Sequence, residues 1–120
     1  MITRKPSHYG DDTCSSYVIA GDFIFLAHHS GGHEKDDIEY QMEASFNNLN
    51  ETLRSAGSSL EHLVQINLYL KNVKDFGKAR DTFYKFFPHD TFPARMTTTT
   101  DFVNPTCLCM LDGIAYKKNA

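Results

Sequence analysis

Apolar and polar residues alternate without a break over residues 64–70, VQINLYL. Val64, Ile66, Leu68 and Leu70 fall on one side, and Gln65, Asn67 and Tyr69 on the other. A period of two predicts a strand with one apolar face and one more polar face. Ile38, Met42, Phe46 (or Ser45), Leu49 and Leu53 recur instead at helical spacing. They predict a helix capped by Asp36 or Asp37 and running to about Ala56, with Gly57 just past its end. Ser58 and Glu61 fit the capping box of a single turn. A second helix is expected from Asn72, with Phe76, Ala79, Phe83 and Phe86 on one stripe and Pro88 closing it. SYVIAGDFIFLA, Ser16 to Ala27, reads as two short strands about a Gly21-Asp22 turn, followed by the loop HHSGGHEKDD. Arg95–Thr100 and Thr106–Tyr116 read as the last two strands, separated by Asp101 to Pro105.

The predicted order is strand, strand, helix, strand, helix, strand, strand: one α+β domain over residues 1–120, a mixed sheet with two helices on one face. FIFLA and CLCMLDGIA are apolar at consecutive positions, the pattern of strands buried on both sides. Two helices cover one face only, so the other is expected to be covered by further copies of the chain, a homo-oligomer.

Composition narrows the partners. The chain has 120 residues, 41% of them hydrophobic and 22% charged, which suits a single globular core. Its net charge of −3 lacks the basic footprint of a nucleic-acid binder. The first residues, MITRKPSHYGDD, lack the apolar run of a signal peptide, and no apolar stretch is long enough for a membrane span. Cys14, Cys107 and Cys109 form no CxxC pair and read as reduced thiols, Cys107 and Cys109 pointing the same way into the core. A cytoplasmic protein without nucleic-acid or membrane partners is expected.

Asp112 stands out chemically. A strand from Thr106 would place it on one face with Leu108, Met110, Ile114 and Tyr116, apolar company that costs free energy unless the carboxylate is paired, hydrated or protonated. It reads either as a structural ion pair or exposed edge position, or as an acid–base group whose pKa those surroundings raise. Arg95 follows Phe92-Pro93, whose stiff backbone aims the guanidinium, and Arg grips a planar carboxylate through two parallel hydrogen bonds. His28, His29 and His33 have no familiar metal-ligand spacing and read as polar loop residues. Gly31-Gly32 is too little for a phosphate cradle, and no nucleophile elbow is present. Thr97–Thr100 reads as plain β-branched strand with hydroxyls at alternate positions.

AGDFIFLA, QMEASFNNLNETLRSAGSSLEHLVQINLYLKNVKDF, FYKFFP, FPAR and LDGIA together resemble the Rid family in order and spacing. These are the YjgF-type enamine/imine deaminases, formerly called L-PSP endoribonucleases. The resemblance covers nearly the whole chain after about Cys14. It implies a chorismate-mutase-like α+β fold and a homotrimer with sites at the subunit clefts. It also implies hydrolysis of a small enamine or imine, of the 2-aminoacrylate or 2-iminobutyrate type, to a 2-oxo acid and ammonia, without metal or cofactor. On the matching positions Arg95 would hold the substrate carboxylate and Asp112, where the family has glutamate, would position water. Thr97 would add backbone contacts, with Tyr17, His28 and Phe83 as further substrate-binding candidates. The chain departs from the pattern at Ala27-His28-His29, where SGQ is common, and at Cys14, where a tyrosine is common. The alternative is a trimeric protein that binds a small oxo or amino acid without turnover. Ribonuclease activity, suggested by the older family label, is disfavoured by the net charge.

Overall fold

The computed structural model describes residues 1–117. Six strands form one sheet: β1 Ile2–Pro6, β2 Ser15–Ala20, β3 Phe23–His29, β4 Leu63–Leu70, β5 Ala94–Thr99 and β6 Cys109–Tyr116, in the spatial order β1-β2-β3-β6-β4-β5. Every neighbouring pair is antiparallel except β4–β5. That parallel pair needs a crossover, which helix α2 (Phe76–Phe86) supplies; helix α1 (Ile38–Ser55) links β3 to β4. The expected α+β architecture, a mixed sheet with both helices on one face, is the one observed.

The helix face holds the core. Ile24, Leu26, Ile66, Leu68, Leu70, Cys109, Leu111 and Ala115 pack against Met42, Phe46, Leu49 and Leu53 of α1 and Ala79 and Phe83 of α2. Full burial of each large side chain contributes about 1.5–3 kcal/mol. Gln41, fully buried, pins α1 to the chain before β6: its amide donates to the Lys35 and Thr106 carbonyls, and its oxygen accepts from the Leu108 N–H.

Several elements differ from expectation. β1 was not predicted: ITRKP is exposed throughout and joins the sheet edge by its backbone, so no buried face shows in its sequence. Asn72 opens a single 3-10 turn, Val73–Asp75, and α2 begins only at Phe76. The turn after Gly57 is Leu60–His62, led by Ser59 rather than Ser58. β6 starts at Cys109, and its buried side is Cys109, Leu111, Gly113 and Ala115. Asp112 therefore lies with Met110, Ile114 and Tyr116 on the face that no helix covers.

Gly113 is required where β4 crosses β6. A Cβ there would overlap the Gln65 carbonyl oxygen, beside the irregularity between Leu63 and Gln65. The same irregularity turns Val64 outward, 46% exposed, against the simple alternation. On the uncovered face Phe23, Phe25, Met96 and Tyr116 are between 37% and 59% exposed, an apolar surface within one chain.

Candidate active site

Asp112 sits opposite Asn67 in the β4–β6 ladder, and both side chains rise on the helix-free face. The Asn67 amide donates to Asp112 Oδ1 at 2.7 Å, and the Tyr69 hydroxyl donates to Oδ2 at 3.0 Å. The third partner comes from β3. There Leu26 pairs with Gly113 and His29 with Leu111, so two residues, Ala27 and His28, stand opposite the single Asp112. The bulge breaks the in-out alternation, so that Ile24, Leu26 and His29 all point into the core while His28 turns outward. It aims His28 Nε2 at Asp112 Oδ2, 3.1 Å away. The His28 ring also meets Tyr69 edge-on, with centroids 5.0 Å apart.

These contacts set the charges. Burial works to raise the Asp112 pKa, but hydrogen bonds from His28, Asn67 and Tyr69 outweigh it and hold the carboxyl below its ordinary value. The expectation of a raised pKa is corrected: the neighbours that decide are the polar side chains of β3 and β4, not the apolar residues of β6. The Asp112 hydrogen bond raises His28 against the opposing effect of partial burial. Burial with the Asp112 hydrogen bond raises Tyr69 as well. Asp112 is thus an anion over the physiological range, and the His28 imidazole beside it holds its proton more tightly than usual.

His29, one residue on, has the opposite environment. It is 1% exposed, and its Nδ1–H donates to the Ala27 carbonyl while the Thr52 hydroxyl donates to Nε2, both at 2.8 Å. His8 stacks on its outer side with centroids 4.2 Å apart. Burial holds His29 neutral, its pKa lowered from 6.5 to about 4. A lowered histidine pKa means that the unfolded chain binds the proton first, so stability falls with pH from about 6.5 to about 4, by roughly 3 kcal/mol for this residue. The His28–Asp112 pair leaves stability unchanged over that interval. Its histidine contribution is full below the ordinary 6.5 and lost as pH rises through the raised value; its aspartate contribution is lost only as pH falls below 3.8. Denaturant melts at pH 6.5 and pH 4 should show the net acid loss in the wild type, and that loss should shrink in His29→Gln.

Arg95 lies across the sheet from Asp112. It pairs with Ile66 in the β4–β5 ladder and shares that residue's helix-facing side. Its guanidinium carbon stands 5.4 Å from the Phe76 ring centre and 5.2 Å from that of Phe83. With Arg80, Phe83, Tyr84, Phe92 and Pro93 it lines a hollow of about 410 Å³. No carboxylate among the described residues lies within salt-bridge distance of it. Phe83 is 4% exposed, so it acts as the wall on which Arg95 rests. Thr97 lies two residues along the same side, in an adjoining hollow with Leu70, Val73 and Phe76. β5 ends the sheet, leaving backbone groups of Arg95 and Thr97 without a strand partner beyond it.

Within one chain, then, the sheet itself separates the two principal candidates. His28 joins Asp112, and Phe83 and Thr97 accompany Arg95. Tyr17 joins neither: it is 7% exposed on the helix side, its hydroxyl donating to the Ser55 carbonyl. Asn67 and Tyr69 were missed as site residues. The alternation of β4 put them on one polar face, but nothing in the pattern says that Asp112 lies opposite Asn67. Cys107 and Cys109 are buried thiols, and burial raises the pKa of both, Cys109 to about 12.

The arrangement defines a small mixed-sheet protein with two separate side-chain clusters, a guanidinium over aromatic rings at the β5 edge and a carboxylate–histidine pair on the open face. Residues 12–117 match the family described as Endoribonuclease L-PSP, and the chain belongs to that YjgF/Rid family. A RutC family protein from Pyrococcus abyssi is 30% identical over 110 residues, 87% of this chain and 86% of that protein. A protein from Dermatophagoides farinae named 2-iminobutanoate/2-iminopropanoate deaminase is 25% identical over 89 residues, 69% of each. A crystal structure of a YjgF-family protein from Neisseria meningitidis superposes with a TM-score of 0.91 at 18% identity, covering 100% of this chain and 98% of that one.

Proposed function

We propose that this chain hydrolyses a small carboxylated enamine or imine, of the 2-aminoacrylate or 2-iminobutyrate type, to a 2-oxo acid and ammonia. The reaction takes place in clefts between the copies of a homotrimer. The observation that carries the reading is Arg95: a guanidinium held over two aromatic rings beside a hollow, with no carboxylate of its own among the described residues. A cation fixed in that way is ready for a substrate carboxylate. The named deaminase among the relatives supports the choice of substrate class.

Arg95 and Asp112 lie on opposite faces of one sheet, so the reading requires the Arg95 edge of one copy to meet the open face of another. The exposed apolar residues of that face, Phe23, Phe25, Met96 and Tyr116, favour such contact by the area they would remove from water. In the assembled cleft Arg95 anchors the carboxylate and withdraws charge from the reacting carbon. Asp112 accepts a hydrogen bond from the attacking water, which holds it for addition to the C=N carbon.

Arg95→Lys tests the anchor. It keeps the charge but loses the two-point grip, so affinity for 2-oxobutyrate measured by calorimetry should fall about tenfold or more. The melting temperature should barely move. Unchanged affinity would remove Arg95 from the site.

A further inference from the structure

The Asp112 carboxylate has three protein donors, which suits it to holding other groups and unsuits it to taking a proton. His28 is its complement. The ring binds Asp112 through Nε2, and Nδ1 makes no hydrogen bond to any other described residue. The side chain is 53% exposed and lies at the wall of a hollow of about 390 Å³, with Tyr69, Met110 and the Thr98–Val103 segment. The bulge at Ala27-His28 exists opposite Asp112 alone, and without it His28 would point into the core. A carboxylate fixing one ring nitrogen while the other faces open space is the geometry of an oriented general base.

We propose that His28 is the catalytic acid–base residue of the hydrolysis, and that Asp112 fixes its tautomer and direction. The inference rests on the deaminase reading and adds to it the residue that moves the proton. With Nε2–H donating to Asp112, Nδ1 is the basic atom. Nδ1 takes a proton from water as the new C–O bond forms and the C=N electron pair moves to nitrogen. The same proton then passes to that nitrogen, giving a neutral carbinolamine. In the second half Nδ1 takes the carbinolamine hydroxyl proton and delivers it to the amine. The C–N bond breaks with its electron pair on nitrogen, ammonia leaves and the 2-oxo acid remains. His28 ends neutral, and no other reactant is needed.

The titratable groups around His28 are Asp112 on β6, Tyr69 on β4, His29 on its own strand, Asp101 in the hollow, and His8, whose ring stacks on that of His29. The negative partner in contact is Asp112, and it fixes the direction: the base is protonated and inactive on the acid side, and the rate rises with pH as it deprotonates.

The test uses the full-length protein and freshly generated 2-iminobutyrate. In the wild type, kcat/KM should rise with pH through an inflection that matches the His28 titration followed by NMR. His28→Gln should lower kcat by roughly 100-fold or more, flatten that limb and leave 2-oxobutyrate affinity and melting temperature near wild type. Asp112→Asn should move the NMR titration of His28 to lower pH, a readout that needs no turnover. Wild-type rate and pH profile in His28→Gln would overturn the inference while leaving the deaminase reading intact. Absence of turnover in the wild type would overturn both. An inflection that differs from the His28 titration would assign the proton to another group.

Discussion

Asp112→Asn should fold, bind 2-oxobutyrate and lose turnover by roughly 100-fold or more. The substitution keeps the shape and removes the charge. An amide at this position still accepts from Asn67 or Tyr69, but it no longer holds His28 as an anion does, nor accepts from water as strongly. The competing expectation is structural. Removing one partner of a buried ion pair strands the other and destabilises by roughly 3–5 kcal/mol. Burial decides between them. The Asp112 side chain is 16% exposed, but His28 is 53% exposed, so water can solvate the ring when its partner is lost. The fold should therefore survive with a modest drop in melting temperature. A large loss of stability with full activity per folded molecule would make Asp112 a structural residue.

Asp112→Glu is informative beside it, since glutamate is what the Rid pattern carries there. In this chain the shorter acid already reaches Asn67, Tyr69 and His28 at 2.7–3.1 Å. The bulge brings His28 to the carboxylate, so the side chain has no gap to span.

The sequence carried the elements whose burial is one-sided and the spacing of the family motifs. β4 and α1 were legible because their apolar positions recur with a clean period, over residues 66–70 in β4 and 38–53 in α1. β1 was not, because a fully exposed edge strand has no buried stripe to betray it. Arg95 and Asp112 could be picked out by residue type and motif, but the face each occupies depends on register. Two local irregularities set that register here, one between Leu26 and His29 and one between Leu63 and Gln65. A single extra residue reverses which side chains face the core. That is why His28 emerges beside Asp112 and His29 is buried, a distinction that the string HHSGGH does not contain. The apolar setting inferred for Asp112 failed for the same reason: along β6 its neighbours are apolar, but across the sheet they are Asn67, Tyr69 and His28.

The proposed hydrolysis requires the Arg95 edge of one chain and the Asp112 face of another. Co-expression of differently tagged Arg95→Ala and Asp112→Asn chains tests it most directly. Each variant alone should be nearly inactive. With random assembly, about a quarter of the clefts should combine an intact Arg95 from one chain with an intact Asp112 from its neighbour, and imine hydrolysis should recover to about that fraction of the wild-type rate. Purified mixed oligomers with no more activity than the two variants measured separately would contradict the account, since a site contained within one chain cannot be rebuilt by mixing.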